Sequence, residues 1–235
     1  MRLDQYLTKK FDIQSRNKAS ELIKSKKVQV DNKIITKPSF IVEEQADIKI
    51  LEDDFFVSRA AYKLKYFLDE ININLKDLNT LDIGSSTGGF TQILLNNYVN
   101  RVTCVDVGSN QLHEKIKNNK KILFYENTDI REFKSNEKFD LVTCDVSFIS
   151  ILNIIEDINR LAKNKIIILF KPQFEVGKNI KRDKKGVVKD KKAILKARER
   201  FIDTTKVLNW NLKYSSYSKI QGKDGNEEEL FYFDK

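Results

Sequence analysis

Charged side chains stand at three places where regular structure is predicted to meet a cleft. Asp145 and Lys171 each follow a continuous apolar run typical of a buried strand, and Lys63 lies beside the apolar stripe of a helix predicted over 59–71. Neighbouring strands lie about 5 Å apart, so Asp145 and Lys171 can form an ion pair. Each residue alone is more typical of a surface ion pair, whereas together with a second carboxylate they make sense as a base and its tuning groups.

Such a set of groups suits the activation of a weak nucleophile. Methyl transfer from a sulfonium needs little acid catalysis at the leaving thioether, but a ribose hydroxyl needs a base to take its proton. A lysine with its ordinary pKa of about 10.4 is a poor base at neutral pH. A second ammonium group and partial burial both lower that pKa, so we expect a lysine of lowered pKa, oriented by the aspartate, to activate the hydroxyl.

The segment from Thr80 to Phe90, TLDIGSSTGGF, is the strongest local signal for a bound ligand. A strand is predicted to end before Gly84, which permits a tight turn, and the paired glycines that follow let a backbone approach a ligand at a helix start. The segment fails as a dinucleotide fingerprint because Ser86 stands where G-x-G-x-x-G requires its middle glycine. A nucleoside thioether fits better, and a plain turn is the alternative.

Three aspartates are placed to hold such a ligand. Asp82 can accept a hydrogen bond from the ligand's ammonium group. Asp106 ends the next predicted strand, where it can bind both ribose hydroxyls or serve as an ordinary turn carboxylate. Asp129 follows the third strand and could bind the adenine amino group or cap a helix. Cys104 and Cys144 lie in apolar runs and are expected to be buried hydrophobes rather than nucleophiles.

The larger part of the chain alternates strands with helices. This alternation predicts a mostly parallel sheet with helices on both faces and a ligand site at the carboxyl ends of the strands. The predicted strands cover 80–83, 102–107, 122–125, 141–145, 166–170, 212–217 and 230–233. The predicted helices cover 59–71, 92–97, 111–117, 151–161 and 191–208.

The first 50 or so residues read as a small separate module. Apolar residues at helical spacing predict two helices, the second capped by Ser15, and residues 28–50 then predict short strands with a turn at 31–33. A module of this size buries little apolar surface, so it needs support from a neighbour or a ligand. We place this domain at 1–52, a linker at 53–58 and the larger domain at 59–235.

Positive charge is concentrated in two zones of the 235 residues, whose formal net charge is +9. Residues 1–40 hold ten Lys and Arg against four acids, and residues 163–198 hold thirteen against three. These zones predict a polyanionic partner or a solvated lysine-rich surface. No apolar run approaches the ~20 residues that span a bilayer. No secretory signal is visible, and two cysteines with one histidine favour neither disulfides nor zinc, so we expect a cytoplasmic protein without a metal.

Seven strings of this chain, in this order, resemble the TlyA family of ribosomal RNA 2′-O-methyltransferases, also catalogued as hemolysin A. They are SRAAYKL from Ser58, DIGSSTGGFT from Asp82, VDVG from Val105 with Gln111-Leu112, DVSFIS from Asp145, KPQFE from Lys171, GVVKD from Gly186 and GNEE from Gly225. The larger domain is similar to the FtsJ class, whose members use a Lys-Asp-Lys-Glu tetrad. By this resemblance the tetrad comprises Lys63, Asp145, Lys171 and Glu228. The first residues resemble the RNA-binding alpha-L motif of ribosomal small-subunit protein four.

The resemblance implies an α/β class I (Rossmann-like) methyltransferase domain with a mostly parallel seven-stranded sheet, beside a small N-terminal α+β RNA-binding domain. It implies S-adenosyl-L-methionine as the cofactor and 2′-O-methylation of a cytidine in ribosomal RNA. A shorter family type acts on large-subunit 23S RNA and a longer type also on small-subunit 16S RNA, and the brevity of this chain resembles the shorter type. The expected partner is ribosomal RNA or an assembled subunit, and the expected state is a monomer or weak dimer.

Candidate site residues follow from these patterns. The cofactor-binding candidates are Asp82, Gly84, Ser85, Ser86, Thr87, Gly88, Gly89, Phe90, Asp106, Val107, Asp129, Ile130 and Asp145. The RNA-binding candidates are Arg2, Arg16, Lys18, Arg59, Lys178, Lys181, Arg182 and Lys189. The choice of Glu228 over Glu227 and Glu229 rests on counting from the Gly-Asn pair at 225–226.

Two other functions compete with this one. A membrane-active hemolysin would need an insertion segment, and the best amphipathic candidate, 191–208, has an apolar set ordinary for a helix lying on a sheet. A non-catalytic RNA-binding assembly factor would keep its role after Lys171→Ala. Phe148, Phe174 and Tyr62 flank the predicted cleft, where they could stack on a flipped nucleotide or simply pack at strand ends.

Overall fold

The computed structural model of the chain describes residues 1–11, 13, 15–43, 45–51, 56–222 and 224–235. It divides into two compact units, Met1–Phe55 and Phe56–Lys235, which we call the N-terminal and C-terminal units. Residues 53–55 of the predicted linker lie outside the described residues.

The N-terminal unit contains two helices and a small antiparallel sheet. The elements are α1 Leu3–Lys10, α2 Arg16–Lys24, β1 Val28–Val30, β2 Lys33–Ile34 and β3 Ile48–Ile50, with the strand order β2-β1-β3. Ser15 caps α2, as predicted, by accepting a hydrogen bond from the Lys18 N–H at 3.2 Å. Asp31 and Asn32 form the predicted turn, and both take positive φ angles, which a tight hairpin requires.

The residues between β2 and β3 differ from the predicted run of strands. Phe40 and Val42 pair with the start of the chain instead, because the Leu3 N–H donates to Phe40 O and the Val42 N–H donates to Met1 O. Val42 is buried with the apolar faces of α1 and α2, whereas Phe40 is exposed. The alternation of apolar residues therefore reflects packing against α1 rather than a further strand.

The C-terminal unit is built around one seven-stranded sheet. Its elements are α3 Arg59–Ile71, β4 Asn79–Ile83, α4 Gly89–Asn96, β5 Arg101–Val105, α5 Glu114–Lys117, β6 Ile122–Tyr125, β7 Phe139–Cys144, α6 Ile155–Leu161, β8 Ala162–Phe170, α7 Pro172–Glu175, α8 Lys191–Val207, β9 Asn211–Tyr217 and β10 Glu229–Asp234. The strand order is β6-β5-β4-β7-β8-β10-β9. Strands β4 to β8 are parallel, and β10 is antiparallel to β8 and β9, so the predicted mostly parallel sheet is confirmed.

Side chains of successive residues in the central strands enter two different cores. In β8, Ile166 and Ile168 pack with α6 and α8 on one face, while Ile167 and Leu169 pack with α3 and α4 on the other. This alternation is the reason that the strand is apolar throughout, since both of its faces are covered. Helices thus cover both faces of the sheet, as predicted. Cys104 and Cys144 are fully buried in these cores.

Several predicted elements have other bounds in the structure, and the differences at β5 and α6 have a local cause. The strand predicted to reach residue 107 ends at Val105, because the Asp106 carboxylate accepts the Ser86 and Gly108 N–H groups and the chain turns there. The helix predicted over 151–161 is split, since a 3₁₀ turn at Ile151–Asn153 precedes α6. Both breaks fall at the carboxyl edge of the sheet.

Candidate active site

The carboxyl ends of β4 and β7 meet at Gly84. This residue has a φ of +75°, and a Cβ atom there would lie 2.9 Å from the Asp145 main-chain oxygen. A side chain at position 84 would therefore separate the loop after β4 from Asp145. The glycine is needed here for close approach of two chain segments, in addition to the predicted turn.

Asp106 is fixed at the end of β5 by two main-chain donors. Its Oδ2 accepts the Ser86 N–H at 2.8 Å and its Oδ1 accepts the Gly108 N–H at 2.7 Å. The side chain is buried but still lines a cavity of about 320 Å³, whose walls also include the apolar side chains Val107 and Ile130. A carboxylate held in this way keeps lone pairs free for two hydroxyl donors, which suits a ribose.

A second cavity of about 170 Å³ lies beside the first and shares Gly84, Ser86, Asp145 and Ser147 with it. Between them, the two cavities are lined by eleven of the thirteen predicted cofactor-binding residues. The eleven are Gly84, Ser85, Ser86, Thr87, Gly89, Phe90, Asp106, Val107, Asp129, Ile130 and Asp145.

Two serine hydroxyls in the wall of the second cavity are left without a hydrogen-bond partner. Ser58 Oγ and Ser85 Oγ are both buried, although a buried polar atom normally has a partner. Ser58 precedes α3, yet its hydroxyl makes no helix-capping bond. The prediction included Ser85 but missed Ser58, whose place at the start of the SRAAYKL string was the available signal.

Asp82 and Gly88 are the two predicted cofactor residues outside these walls. Asp82 is fully buried, and its two carboxylate oxygens accept the Thr91 hydroxyl at 2.6 Å and the Thr143 hydroxyl at 2.8 Å. Burial raises the pKa of Asp82 to about 6, and the charge of Asp145 adds to this shift. The geometry gives Asp82 a role in holding α4 against the sheet, and its contact with a ligand ammonium stays a prediction.

Asp129 lines the first cavity, but its carboxylate is already engaged. It accepts the Arg131 main-chain N–H at 2.9 Å and two guanidinium N–H groups at 2.9 and 2.5 Å. The Arg131 side chain lowers the pKa of this carboxyl group. No helix begins at Asp129, so the predicted helix cap is wrong and the carboxylate instead caps a local turn. The predicted contact with an adenine amino group stays a prediction.

Two buried ion pairs occupy the ends of β7 and β8 and the face of α3. Lys171 Nζ lies 2.5 Å from Asp145 Oδ1 and 3.0 Å from Ser147 Oγ, while Lys63 Nζ lies 2.5 Å from Glu228 Oε2. Burial raises the pKa of Asp145, and the charges of Lys171 and Lys63 oppose that shift. The electrostatic effect of both lysines on one carboxylate places the two pairs in a single cluster.

The second carboxylate oxygen of Glu228 also has a hydrogen-bond partner. Gln173 Nε2 donates to Glu228 Oε1 at 3.1 Å. The neighbouring Glu229 pairs with Arg198 on a different side of the strand, and Glu227 is exposed. Among the three glutamates, Glu228 is therefore the one that contacts Lys63.

Comparison with known proteins decides the family. A family model described as an FtsJ-like methyltransferase matches residues 56–235, and one described as an S4 domain matches residues 1–48. The chain belongs to the FtsJ-like methyltransferase family. It is 51% identical to a 23S rRNA (cytidine-2′-O)-methyltransferase TlyA of Campylobacter jejuni over the full length of both chains, which confirms the resemblance to the TlyA family.

Further relatives of this TlyA-type methyltransferase carry two kinds of name. A 16S/23S rRNA (cytidine-2′-O)-methyltransferase TlyA of Mycobacterium tuberculosis is 32% identical over 97% of this chain and 87% of its own length. A hemolysin A of Brachyspira hyodysenteriae is 33% identical over 99% of both chains. A solved structure from Streptococcus thermophilus, described as a hemolysin candidate, matches with a TM-score of 0.73 and 28% identity, covering all of this chain and 88% of the other. The FtsJ-like methyltransferase match, together with the mostly parallel seven-stranded sheet, confirms the class I methyltransferase fold.

The predicted RNA-binding residues lie at the surface of the two units, and several of them make polar contacts there. In the N-terminal unit, Arg2 and Arg16 both donate to Asp4, and Lys18 pairs with Glu21 at 3.4 Å. In the C-terminal unit all of the predicted residues are exposed. They are Arg59, Lys178, Lys181, Arg182 and Lys189. Arg182 differs from the others because its guanidinium donates to main-chain carbonyl groups.

Phe148 is the most exposed of the aromatic residues near the cluster. It is 92% exposed with a φ of +66°, and its ring lies 5.3 Å from that of Phe174. Tyr62 instead packs against Phe56 at a ring distance of 4.7 Å. Phe148 and Phe174 thus remain candidates for stacking on a nucleotide, and packing accounts for Tyr62.

Proposed function

We propose that this protein is an S-adenosyl-L-methionine-dependent 2′-O-methyltransferase that modifies a cytidine in ribosomal RNA. The observation that carries the proposal is the pair of buried lysine–carboxylate contacts, Lys171–Asp145 and Lys63–Glu228. Asp145 and Lys171 both line the second cavity. The names of the TlyA relatives supply the substrate, and the relative of highest identity quoted above favours 23S RNA. Because the M. tuberculosis relative is named for both RNAs, 16S RNA is a further substrate to test.

The two cavities suit the chemical groups of the proposed cofactor. Asp106 would hold the ribose hydroxyls between apolar walls that suit an adenine ring. Ser58 and Ser85, the unpartnered hydroxyls, would hold the amino acid end, and main-chain groups of 84–90 would line it. When bound, the cofactor supplies an electrophilic methyl group on sulfur.

Lys171 is the proposed base for the ribose 2′-hydroxyl. It is one of the residues that line the second cavity, and Asp145 and Ser147 fix its amine group there. Lys63 adds a second positive charge to the cluster, and its charge acts on the same carboxylate, Asp145, that Lys171 contacts. The amine takes the hydroxyl proton as the oxygen becomes methylated, and Glu228 anchors the ammonium group of Lys63.

RNA binding is assigned to the S4-like part and to the exposed basic residues. We retain the domain boundaries 1–52 and 59–235 with a linker at 53–58 as part of this proposal. Arg2, Arg16 and Lys18 would contact phosphates from the first domain, and the lysines of 178–189 would do so from the second. The partner would be ribosomal RNA or an assembled subunit in the cytoplasm, bound by a monomer or weak dimer.

The test is mass spectrometry of ribosomal RNA from cells with and without this protein. We expect one 2′-O-methylcytidine to be lost when the protein is absent and to return with the wild-type chain but not with Lys171→Ala. A mark that returns with Lys171→Ala, or an unchanged modification pattern, would refute the proposal. The first of these results would favour the RNA-binding assembly factor.

A membrane-active role is the second candidate because one relative is named hemolysin A. Among the described residues, no helix combines the length and apolar character that membrane spanning requires. The apolar face of α8 is occupied, since Phe201 packs against Phe170 and Phe231 of the sheet. Leakage of liposomes at submicromolar protein would be needed to favour this role over methyl transfer.

A further inference from the structure

Arg182 is unusual among the basic residues of the segment from Gly177 to Asp190. Its Nη1 donates to Ile180 O at 2.8 Å, and its Nη2 donates to Gln173 O at 2.8 Å and to Gly177 O at 3.1 Å. Three main-chain carbonyl groups are therefore gathered around one guanidinium. This arrangement folds the segment back onto the residues that follow Lys171.

Gln173 connects this arrangement to the catalytic cluster. Its main chain is held by Arg182, and its side-chain amide donates to Glu228, the partner of Lys63. The other side-chain atom, Gln173 Oε1, is buried without a hydrogen-bond partner. A carboxylate accepts hydrogen bonds, so the amide must turn its Nε2 toward Glu228, and this contact leaves Oε1 without a partner despite the cost.

A second connection ties the same segment to the residues just before β10, where Glu228 lies. Asn226 is buried, its Oδ1 accepts the Val188 N–H at 3.1 Å, and its Nδ2 donates to Gly186 O at 3.4 Å. Arg182 and Val188 are themselves paired as an isolated β-bridge. The segment is thus linked to Glu228 through Gln173 and to Asn226, two residues before Glu228.

We propose that Arg182 and Gln173 form a brace that holds Glu228 against Lys63, and that Arg182 is therefore a positioning residue rather than an RNA contact. The inference rests on the proposed function because it assigns the brace to the same cluster. The proposal assigns two different roles to the basic residues of this segment. Arg182 acts on turnover, whereas lysines such as Lys181, for which the structure contains no comparable main-chain contacts, act on RNA affinity.

The experiment compares Arg182→Ala with Lys181→Ala in the full-length protein. Three quantities are measured: the single-turnover rate at saturating ribosomal RNA, the affinity for S-adenosyl-L-methionine, and the slope of log RNA affinity against log salt. We expect Arg182→Ala to slow turnover at least about 10-fold with the salt slope and cofactor affinity unchanged. Lys181→Ala should instead reduce the salt slope by about one. An Arg182→Ala protein with a normal rate and a reduced slope would overturn the brace.

Two further variants separate positioning from simple loosening of the fold. Gln173→Glu keeps the side-chain shape but replaces the donor by a carboxylate facing Glu228, so we expect it to slow turnover as Arg182→Ala does. Because both residues act through Glu228, the double variant should be no slower than the slower single variant. Rates that multiply would overturn the brace. Arg182→Lys should restore only part of the rate, since one ammonium group lacks the planar fork of donors.

Failure of the proposed function would remain distinguishable from failure of the brace. If the wild-type protein methylates no ribosomal RNA, the proposed function fails. The brace is then tested by measuring amide hydrogen exchange in residues 173–182. Arg182→Ala should raise exchange in that segment while Lys181→Ala leaves it unchanged. Equal exchange in the wild type and Arg182→Ala would overturn the brace.

Discussion

Both units of the molecule set two cationic side chains against buried carboxylates, but they leave the cations in opposite environments. In the N-terminal unit, Arg2 and Arg16 share Asp4 at 3.0 Å, and their side chains remain 42% and 53% exposed. In the C-terminal unit, Lys63 and Lys171 each have their own carboxylate at 2.5 Å and are only 9% and 10% exposed.

The carboxylates respond differently to these two environments. Two guanidinium groups lower the pKa of Asp4 to about 2, although that side chain is buried. Burial raises the pKa of Asp145, because the effects of its direct partner Lys171 and of the neighbouring Lys63 do not outweigh the loss of water. An arginine stays charged in either setting, which suits phosphate binding, whereas an amine held at a cavity wall suits the proposed proton transfer.

Replacing the proposed base gives the largest expected effect. Lys171→Met should slow methyl transfer by about 10³-fold, because a positioned base contributes this much to proton removal. Affinity for the cofactor should be retained. The matched control is Lys163→Met in β8, the strand that precedes Lys171, where an exposed lysine pairs with Asp140. Equal loss in both variants would contradict the distinction between a buried and an exposed lysine.

Asp82 extends the comparison to a buried carboxylate with no cation bonded to it. Its pKa is raised to about 6, so the folded chain keeps a proton that the unfolded chain releases near pH 3.8. The free energy of unfolding should therefore fall as pH rises from about 4 to about 6, by on the order of 3 kcal/mol from this group. Asp82→Asn should remove that dependence in urea unfolding monitored across this range. An unchanged pH dependence would show that Asp82 does not titrate in this way.

Asp4 should behave in the opposite direction. Because Arg2 and Arg16 lower its pKa from 3.8 to about 2, it stabilises the N-terminal unit above about pH 4, and that stabilisation is lost as pH falls towards 2. In hydrogen exchange of residues 1–50 of the full chain, wild-type protection should decline over this range. Asp4→Asn should have weaker protection at neutral pH with little further decline. A wild-type profile that is flat between pH 4 and 2 would contradict the pairing.

The smallest effect concerns the exposed arginines. Arg16→Ala should reduce the slope of log RNA affinity against log salt by about one, since one phosphate contact is lost. Arg2 still pairs with Asp4 in this variant, so the N-terminal unit should remain folded. Filter binding of ribosomal RNA over a range of salt provides the measurement. An unchanged slope would mean that Arg16 binds Asp4 and makes no phosphate contact.

The sequence predicted the bounds of an element best where a single uninterrupted apolar run or stripe forms that element. Strand β6 and helix α3 have the predicted bounds, because one apolar run or stripe defines each of them. The split before α6 was missed, since its apolar residues continue through the 3₁₀ turn and only the backbone at Ile154 changes direction. Periodicity contains no information about such a change.

The candidate site was predictable as far as strand ends could place it. Asp145 and Lys171 follow adjacent strands, so their pairing could be expected before the structure was known. The burial of Asp82 could not, because its hydrogen bonds come from Thr91 and Thr143 on two other elements. The internal bonds of Arg182 were missed for the same reason, since composition alone makes every basic residue of that segment equivalent.

The central claim is that the amine of Lys171 takes the proton from the ribose hydroxyl. The most direct test is Lys171→Cys followed by aminoethylation, which rebuilds a lysine-like side chain whose sulfur makes the amine a weaker base. The native Cys104 and Cys144 are buried, which favours selective modification. Methyl transfer should be absent before modification, and afterwards it should return with the acidic limb of the pH–rate profile moved to lower pH. Recovered activity with an unmoved acidic limb, or full activity before modification, would contradict the account.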